Sequence, residues 1–227
     1  MQSKTVVITG GFGALATSVA RAASAAGAQI ALIDISQRHG EPMVGAFELG
    51  GVDITVEAQA AAAVEAVVAH FGRLDVLVNI AGGFRWQTLE DGDLAAWAQL
   101  YAMNVLSAAT ASKAALGPMR ATKGGRIINI GAGAAVKAAA GMGAYAAAKA
   151  GVHRLTESLA EETKGAGITV NAILPSIIDT PANRAEMPDA DFSAWVTAEE
   201  IAAVVLFLAS DAASGVTGAL IPVSGRV

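Results

Sequence analysis

Short apolar runs alternate with longer alanine-rich runs from one end of the chain to the other. The short runs are Thr5–Thr9, Ile30–Asp34, Val44–Leu49, Leu74–Asn79, Arg126–Ile130, Ile168–Leu174 and Ala219–Val223, rich in Val and Ile at consecutive positions. Apolar side chains on successive residues point to both faces of a strand, so these segments read as strands covered on two sides. Between them, Ala14–Ala26, Glu57–Phe71, Asp93–Arg120, Gly143–Lys164 and Thr197–Ser210 carry helix formers over helical lengths. Strand and helix in alternation predict an α/β fold, a doubly wound parallel sheet of about seven strands with helices on both faces. No linker or repeat interrupts the pattern, so residues 1–227 are expected to form a single domain. The stretch Ser36–Gly51 is too short for a full second helix and is expected to cross by a loop or a single turn. A second irregular stretch, Pro175–Val196, follows a strand. Ligands of open α/β sheets bind at that end, which makes 175–196 the expected substrate lid.

Composition narrows the class. Hydrophobic residues make up 54% of the chain and charged residues 15%, which excludes disorder. Much of the excess is helical alanine, and no run approaches the roughly 18 to 20 apolar residues of a membrane span. Met1-Gln2-Ser3-Lys4 leads straight into a strand, leaving no room for a signal peptide, so a cytoplasmic protein with no membrane partner is expected. A net charge of −5 without a basic cluster argues against a nucleic-acid partner. Cysteine is absent, which rules out disulfides and thiolate chemistry. The three histidines, His39, His70 and His153, lack ligand spacing and read as surface or half-buried residues, so no metal is expected.

Candidate chemistry begins at the first strand–helix turn, Thr9-Gly10-Gly11-Phe12-Gly13-Ala14-Leu15-Ala16. Glycine there lets backbone amides at a helix N-terminus approach a pyrophosphate, which makes Gly10, Phe12, Gly13, Ala14 and Leu15 candidate dinucleotide contacts. Asp34, at the end of the second strand, stands where an acid accepts hydrogen bonds from the adenosine ribose of NAD(H). No arginine follows until Arg38, so NAD(H) is expected over NADP(H). These features make the sheet a Rossmann fold. Tyr145-Ala-Ala-Ala-Lys149 places a phenol and an ammonium four residues apart, on one helix face. A nearby cation favours phenolate, so Tyr145 is expected to act as general acid or base near neutral pH.

With these residues in place the chain resembles the short-chain dehydrogenase/reductase family over nearly its whole length. The family's Thr-Gly-x-x-x-Gly-x-Gly turn matches at Thr9 and Gly10, with Ala14 and Ala16 at the later glycine positions; Gly11 and Gly13 are expected to supply the freedom one step earlier. Asp53-Ile54-Thr55 is similar to the family's adenine-side Asp-x-Thr. Asn79-Ile80-Ala81-Gly82 resembles its Asn-Asn-Ala-Gly, and Pro175-Ser176-Ile177-Ile178-Asp179-Thr180 the loop that holds the nicotinamide. The resemblance implies that Asp53, Ile54, Asn79, Ala81, Gly82, Pro175, Ile178 and Thr180 line the cofactor site. It also implies that Lys149 holds the nicotinamide ribose and that Asn104 supports Lys149. A homodimer or homotetramer is implied too, paired through the alanine-rich helices Asp93–Arg120 and Gly143–Lys164.

The family's substrate-binding serine, thirteen positions before the tyrosine, is Ala132 here. Dihydropteridine reductases share that loss, and this chain also resembles them in its Gly-Gly-x-Gly-Ala-Leu turn, in Ala81-Gly82-Gly83 followed by Phe84, and in its lid. Phe84, Trp86 and Trp195 are accordingly expected to wall a flat ring beside Ala132. The resulting expectation is an NAD(H)-dependent oxidoreductase moving a hydride to or from a small molecule, either a carbonyl or a quinonoid pterin-like ring. The competing reading, carried by Ala132, is a cofactor-binding protein without turnover.

Overall fold

The computed structural model describes residues 1–38 and 41–227; His39 and Gly40, and with them the reading of His39, lie outside the described residues. Among the described residues, seven strands form one sheet: β1 (Thr5–Thr9), β2 (Gln29–Ile33), β3 (Ala46–Leu49), β4 (Val76–Asn79), β5 (Gly125–Ile130), β6 (Ile168–Pro175) and β7 (Leu220–Val223). Their order is β3-β2-β1-β4-β5-β6-β7, and every pairing is parallel. The helices are α1 (Ala14–Ala25), α2 (Glu57–Phe71), α3 (Ala95–Tyr101), α4 (Ser107–Ala121), α5 (Gly143–Thr163), α6 (Pro181–Glu186) and α7 (Ala198–Ala209). Single-domain α/β architecture with a doubly wound parallel sheet is therefore what the chain adopts.

Alternation along the strands sorts the core into two layers. Val6 and Ile8 of β1 point into the layer shared with α1 and α7, whereas Val7 points into the layer beneath α2, α4 and α5. The small side chains of the helices let them lie close to the sheet; Ala16, Ala20, Ala111 and Ala115 are all buried. Register then aligns the strand ends. Thr9 pairs with Ile33 on one side and Asn79 on the other, and Asn79 pairs with Asn129. The segments that follow β1, β2, β4 and β5 therefore emerge side by side, at the point where the strand order reverses. In open α/β sheets this crevice is where ligands bind. No helix among the described residues is long and apolar enough to cross a membrane.

Three expectations are corrected here. The run Asp93–Arg120 is not one helix: a π-helical turn at Ala102–Leu106 separates α3 from α4 and carries Asn104. The extra residue in that turn accompanies a bond from the Asn104 side chain to another segment, the usual setting of such insertions. The stretch 175–196 is not wholly irregular, because Pro181 starts the short helix α6 and Thr180 caps it. His153 is neither exposed nor half-buried; it is 3% exposed, against the end of β5.

Candidate active site

On the β1–β3 side the site is backbone. Gly10 adopts φ +63°, and a Cβ there would stand 2.9 Å from the backbone of Ala81, so the turn needs glycine at this position. The later glycines work otherwise than expected: Gly13 takes an ordinary φ of −77°, and Gly11 is tight because Leu32 lies underneath. Gly13 is the N-cap of α1 and makes no side-chain cap, and the first turn holds no acid. Gly13 and Ala14 lie at the surface, so the helix N-terminus presents its amides to an anion from outside, as a pyrophosphate requires.

Asp34 sits beside this turn. Its carboxylate accepts from Phe12 N at 3.0 Å and Ser36 N at 2.8 Å, which fixes its direction while leaving lone pairs for hydroxyl donors. Arg38 lies over the Phe12 ring at 4.4 Å, but its fork is closed on Glu48 at 3.0 and 2.6 Å. Nearby, Asp53 accepts from Thr55, and the Ile54 carbonyl accepts from Thr110 of α4, which anchors this loop at the cleft edge. Ala81 and Gly82 follow β4, where Thr9 Oγ1 accepts from both Ile80 N and Ala81 N at 3.2 Å. Asn79 is buried; its amide nitrogen donates to Ser112 and Asn129, which ties it to the frame, while its Oδ1 has no partner among the described residues. The donors, the anchored acid and the open helix end together fit a dinucleotide.

On the other side, Tyr145, Lys149 and His153 form a row along α5. Lys149 Nζ donates to the Ile130 carbonyl at 2.8 Å, stitching α5 to the end of β5. Burial pulls Lys149 down to about 8 and pushes Tyr145 up to about 12. In the protein alone the direction is therefore opposite to the one expected from the ammonium, because burial removes solvent from the phenol. His153 is held below its ordinary value, first by burial and then by the charges of Arg154 and Lys149. Its Nε2 accepts from Ala132 N across a long 3.5 Å. Asn104, 1% exposed, exchanges bonds with Gly83 through both ends of its amide and donates to Leu100 O. A Cβ on Gly82 would lie 2.5 Å from Asn104 Oδ1 and 3.5 Å from Lys149 Nζ, so the three groups meet at one point.

A cavity of about 610 Å³ opens in front of Tyr145. Phe84, Trp86 and Ala132 line it, with Pro175 and Ile178 from the segment after β6. Phe84 stands edge-on to Tyr145, ring centres 4.9 Å apart. Trp195 is a correction: it is 3% exposed, tilted against Phe192 beneath the lid, and does not line the cavity. The reason is its place at the lid's return, where Val196 bridges Ile178 and draws the indole inward. Thr180 spends its hydroxyl on Asn183 N as the α6 cap. Sequence reasoning missed Gly141, which supports Trp86, and Asn183 and Glu186 of α6. A glycine pair flanking Met142 was the available signal for the first; the others lie within the expected lid 175–196, but nothing singled them out within it.

The chain matches the family model described as enoyl-(acyl carrier protein) reductase over residues 12–225. It is 34% identical over 246 residues to 2-(S)-hydroxypropyl-CoM dehydrogenase 3 of Xanthobacter autotrophicus, covering 99% of this chain and 96% of that one. Levodione reductase superposes with a TM-score of 0.88 at 29% identity, covering 99% of this chain and 97% of the other. Carveol dehydrogenase of Mycobacterium avium, solved in complex with NAD, superposes with a TM-score of 0.87 at 27% identity and the same coverage of 99% and 97%. The chain belongs to the short-chain dehydrogenase/reductase family. It is an oxidoreductase of carbonyl or alcohol substrates that uses a nicotinamide cofactor.

Proposed function

We propose that the protein is an NADH-dependent reductase of small carbonyl compounds, with Tyr145 as the proton donor. The observation that carries this is the Tyr145 phenol, held protonated by burial and set on the cavity wall one helical turn before Lys149. When bound, the nicotinamide cofactor supplies the hydride to the carbonyl carbon. The chain supplies the rest. Tyr145 gives its proton to the substrate oxygen as negative charge gathers there. Lys149, on the same face of α5, opposes the phenolate that remains. The Ile130 carbonyl keeps the lysine in place, and Asn104 holds the Gly83 backbone beside it.

Preference for NADH rests on Asp34. Like unit charges about 4 Å apart repel by about 4 kcal/mol at an effective dielectric of 20, which disfavours a 2′-phosphate near this carboxylate. Arg38 does not offset it, because Glu48 closes its fork. Calorimetry should show NADPH binding weaker than NADH by about two orders of magnitude; equal affinities would remove this claim. The test of the whole reading is NADH oxidation with a panel of cyclic ketones, diketones and a quinonoid dihydropterin. The pterin keeps a place in the panel because Ala132 lacks a hydroxyl and Phe84 and Trp86 offer flat walls.

We also propose that the working form is a dimer or tetramer. Trp97, Tyr101 and Leu106 expose apolar surface along α3 and the π turn, beside α5. Light scattering at micromolar concentration should report more than one chain per particle; a monomer would overturn this.

A further inference from the structure

We infer that the cavity selects uncharged, ring-shaped ketones and turns away substrates that carry a carboxylate, sulfonate or phosphate. This names the substrate class of the site and rests on the reductase reading above.

Charge makes the first half of the argument. Among the described residues no lysine, arginine or histidine lines the cavity, and its ionisable groups are Tyr145 and Glu186. Arg184, two residues before Glu186 on the same lid, is committed elsewhere. It forks onto Asp179 at 2.6 and 2.7 Å and lies over the Phe192 ring at 4.8 Å. Arg85, between two lining aromatics in the chain, does not line the cavity either. The amide of Asn183, which does, donates to the Ile178 carbonyl at 2.8 Å. Glu186 forms no ion pair among the described residues. An anionic substrate would thus leave water for apolar walls with no cation to meet it and a carboxylate on the lid opposing it. A neutral substrate meets neither cost.

Shape makes the second half. The Trp86 indole is fixed as the chain folds. Its Nε1 donates to Ala140 O at 3.1 Å, and Gln87 N donates to Gly141 O at 2.9 Å, locking two loops together. Gly141, at φ +73°, lies directly beneath the ring; a Cβ there would come within 2.1 Å of it. The indole is therefore a preset flat wall, so little ordering is left for binding to complete. Phe84, also on the cavity wall, stands edge-on to Tyr145 with ring centres 4.9 Å apart. A ring laid against Phe84 and Trp86 presents its carbonyl oxygen to the phenol, and Ala132 adds no further polar anchor.

The test is a matched pair: methyl 4-oxocyclohexanecarboxylate and its free acid, which differ in charge and hardly in size. Calorimetry on the NADH-loaded Tyr145→Phe protein, which holds the ketone without reducing it, should show the ester binding at least about ten-fold more tightly than the acid. Glu186→Gln should narrow that ratio, and Trp86→Ala should weaken the ester far more than it weakens NADH. Acid and ester binding with equal affinity in that background would overturn the inference, as would an unaltered ratio when Glu186→Gln is added to it. The reductase reading fails separately: the ester would bind as expected while the wild type does not oxidise NADH.

Discussion

On the nucleotide side, β1 to β3, the site comes from segments that directly follow their strands. Gly10 to Ala14 follows β1, Asp34 follows β2, and what joins them is a carboxylate on a backbone amide, Phe12 N to Asp34. On the substrate side, β4 to β7, each feature is assembled from distant parts of the chain. Trp86 rests on Gly141, Asn104 on Gly83, Lys149 on the Ile130 carbonyl, and Ile178 bridges Val196. The first side is a general device for a cofactor. The second is particular to one chain, because each tie depends on two segments agreeing. Binding of the adenosine half of the cofactor and chemistry on the substrate should therefore separate under mutation, while the nicotinamide end is shared by both sides.

The largest expected separation is at Tyr145. Tyr145→Phe removes the proton donor and leaves the nucleotide side untouched, so kcat should fall by about 10²–10⁴ while the NADH Kd stays within a factor of two or so. Near-normal turnover would mean that the proton comes from elsewhere. Lys149→Met tests the same side by stability. Burial lowers Lys149 from 10.5 to about 8, so below about pH 8 the folded protein carries the full cost of a buried cation. That cost fades as pH rises from 8 to 10.5, where the unfolded chain also loses its proton. Loss of the bond to Ile130 O offsets much of the gain, leaving Lys149→Met more stable than wild type by about 0.5–2 kcal/mol at pH 7. The gain should vanish near pH 10.5 while activity is lost throughout. A destabilised variant at pH 7 would show that Lys149 is better solvated than its burial implies. The wild type carries a related signature: reduction needs the Lys149 cation, so kcat/KM should decline as pH rises through about 8.

How legible each side was follows from how it is built. All seven strands were visible as short apolar runs, most of them rich in Val and Ile, and Glu57–Phe71 matched in both bounds, because propensity and burial agree locally. The turn after β1, Asp34 and the Tyr145–Lys149 spacing needed only short windows. The π turn at Asn104 did not show, since α3 and α4 both carry helix-forming alanine and only a bond to Gly83, 21 residues away, distinguishes the turn. Trp195 was misjudged for the same reason: a lid aromatic faces in or out according to which strand it returns to. The row Tyr145–Lys149–His153 was open to view as an i, i+4, i+8 pattern, yet burial of His153 depends on Gly131 leaving room beneath it.

Ala132 sharpens the comparison with a smaller effect. It is buried at the cavity wall, with its N–H toward His153. Placing a hydroxyl there adds a donor that acts mainly in the transition state, as charge builds on the carbonyl oxygen. Ala132→Ser should raise kcat on simple ketones by about ten-fold or more, taken as part of the roughly 10²–10³ that such donors contribute elsewhere. Activity on a quinonoid dihydropterin, which spreads the charge over several atoms, should hardly move. Fast wild-type reduction of ketones with no response to serine would show that another group already supplies the bond. Tight NADH binding by both forms with no turnover of anything would favour the non-catalytic reading.

The smallest effect compares two threonines with the same local chemistry. Thr197 caps α7 in a full capping box: its Oγ1 accepts from Glu200 N at 3.1 Å, and the Glu200 carboxylate accepts from Thr197 N at 2.8 Å. Thr180 caps α6, accepting from Asn183 N at 3.2 Å. α7 buries Ile201, Val205 and Leu208 against the sheet, so its first turn unfolds only with the whole core. α6 buries nothing and can open by itself. Thr197→Ala should therefore cost about 1 kcal/mol and lower Tm by about 2–4 °C, with NADH affinity unchanged. Thr180→Ala should leave Tm nearly where it was. Its effect should appear instead as weaker NADH and substrate binding, because Asn183 on the cavity wall and the loop after β6 both lose their anchor. If Thr180→Ala lowers Tm as far as Thr197→Ala does, the lid melts with the frame, and the division between the two sides of the cleft fails at that point.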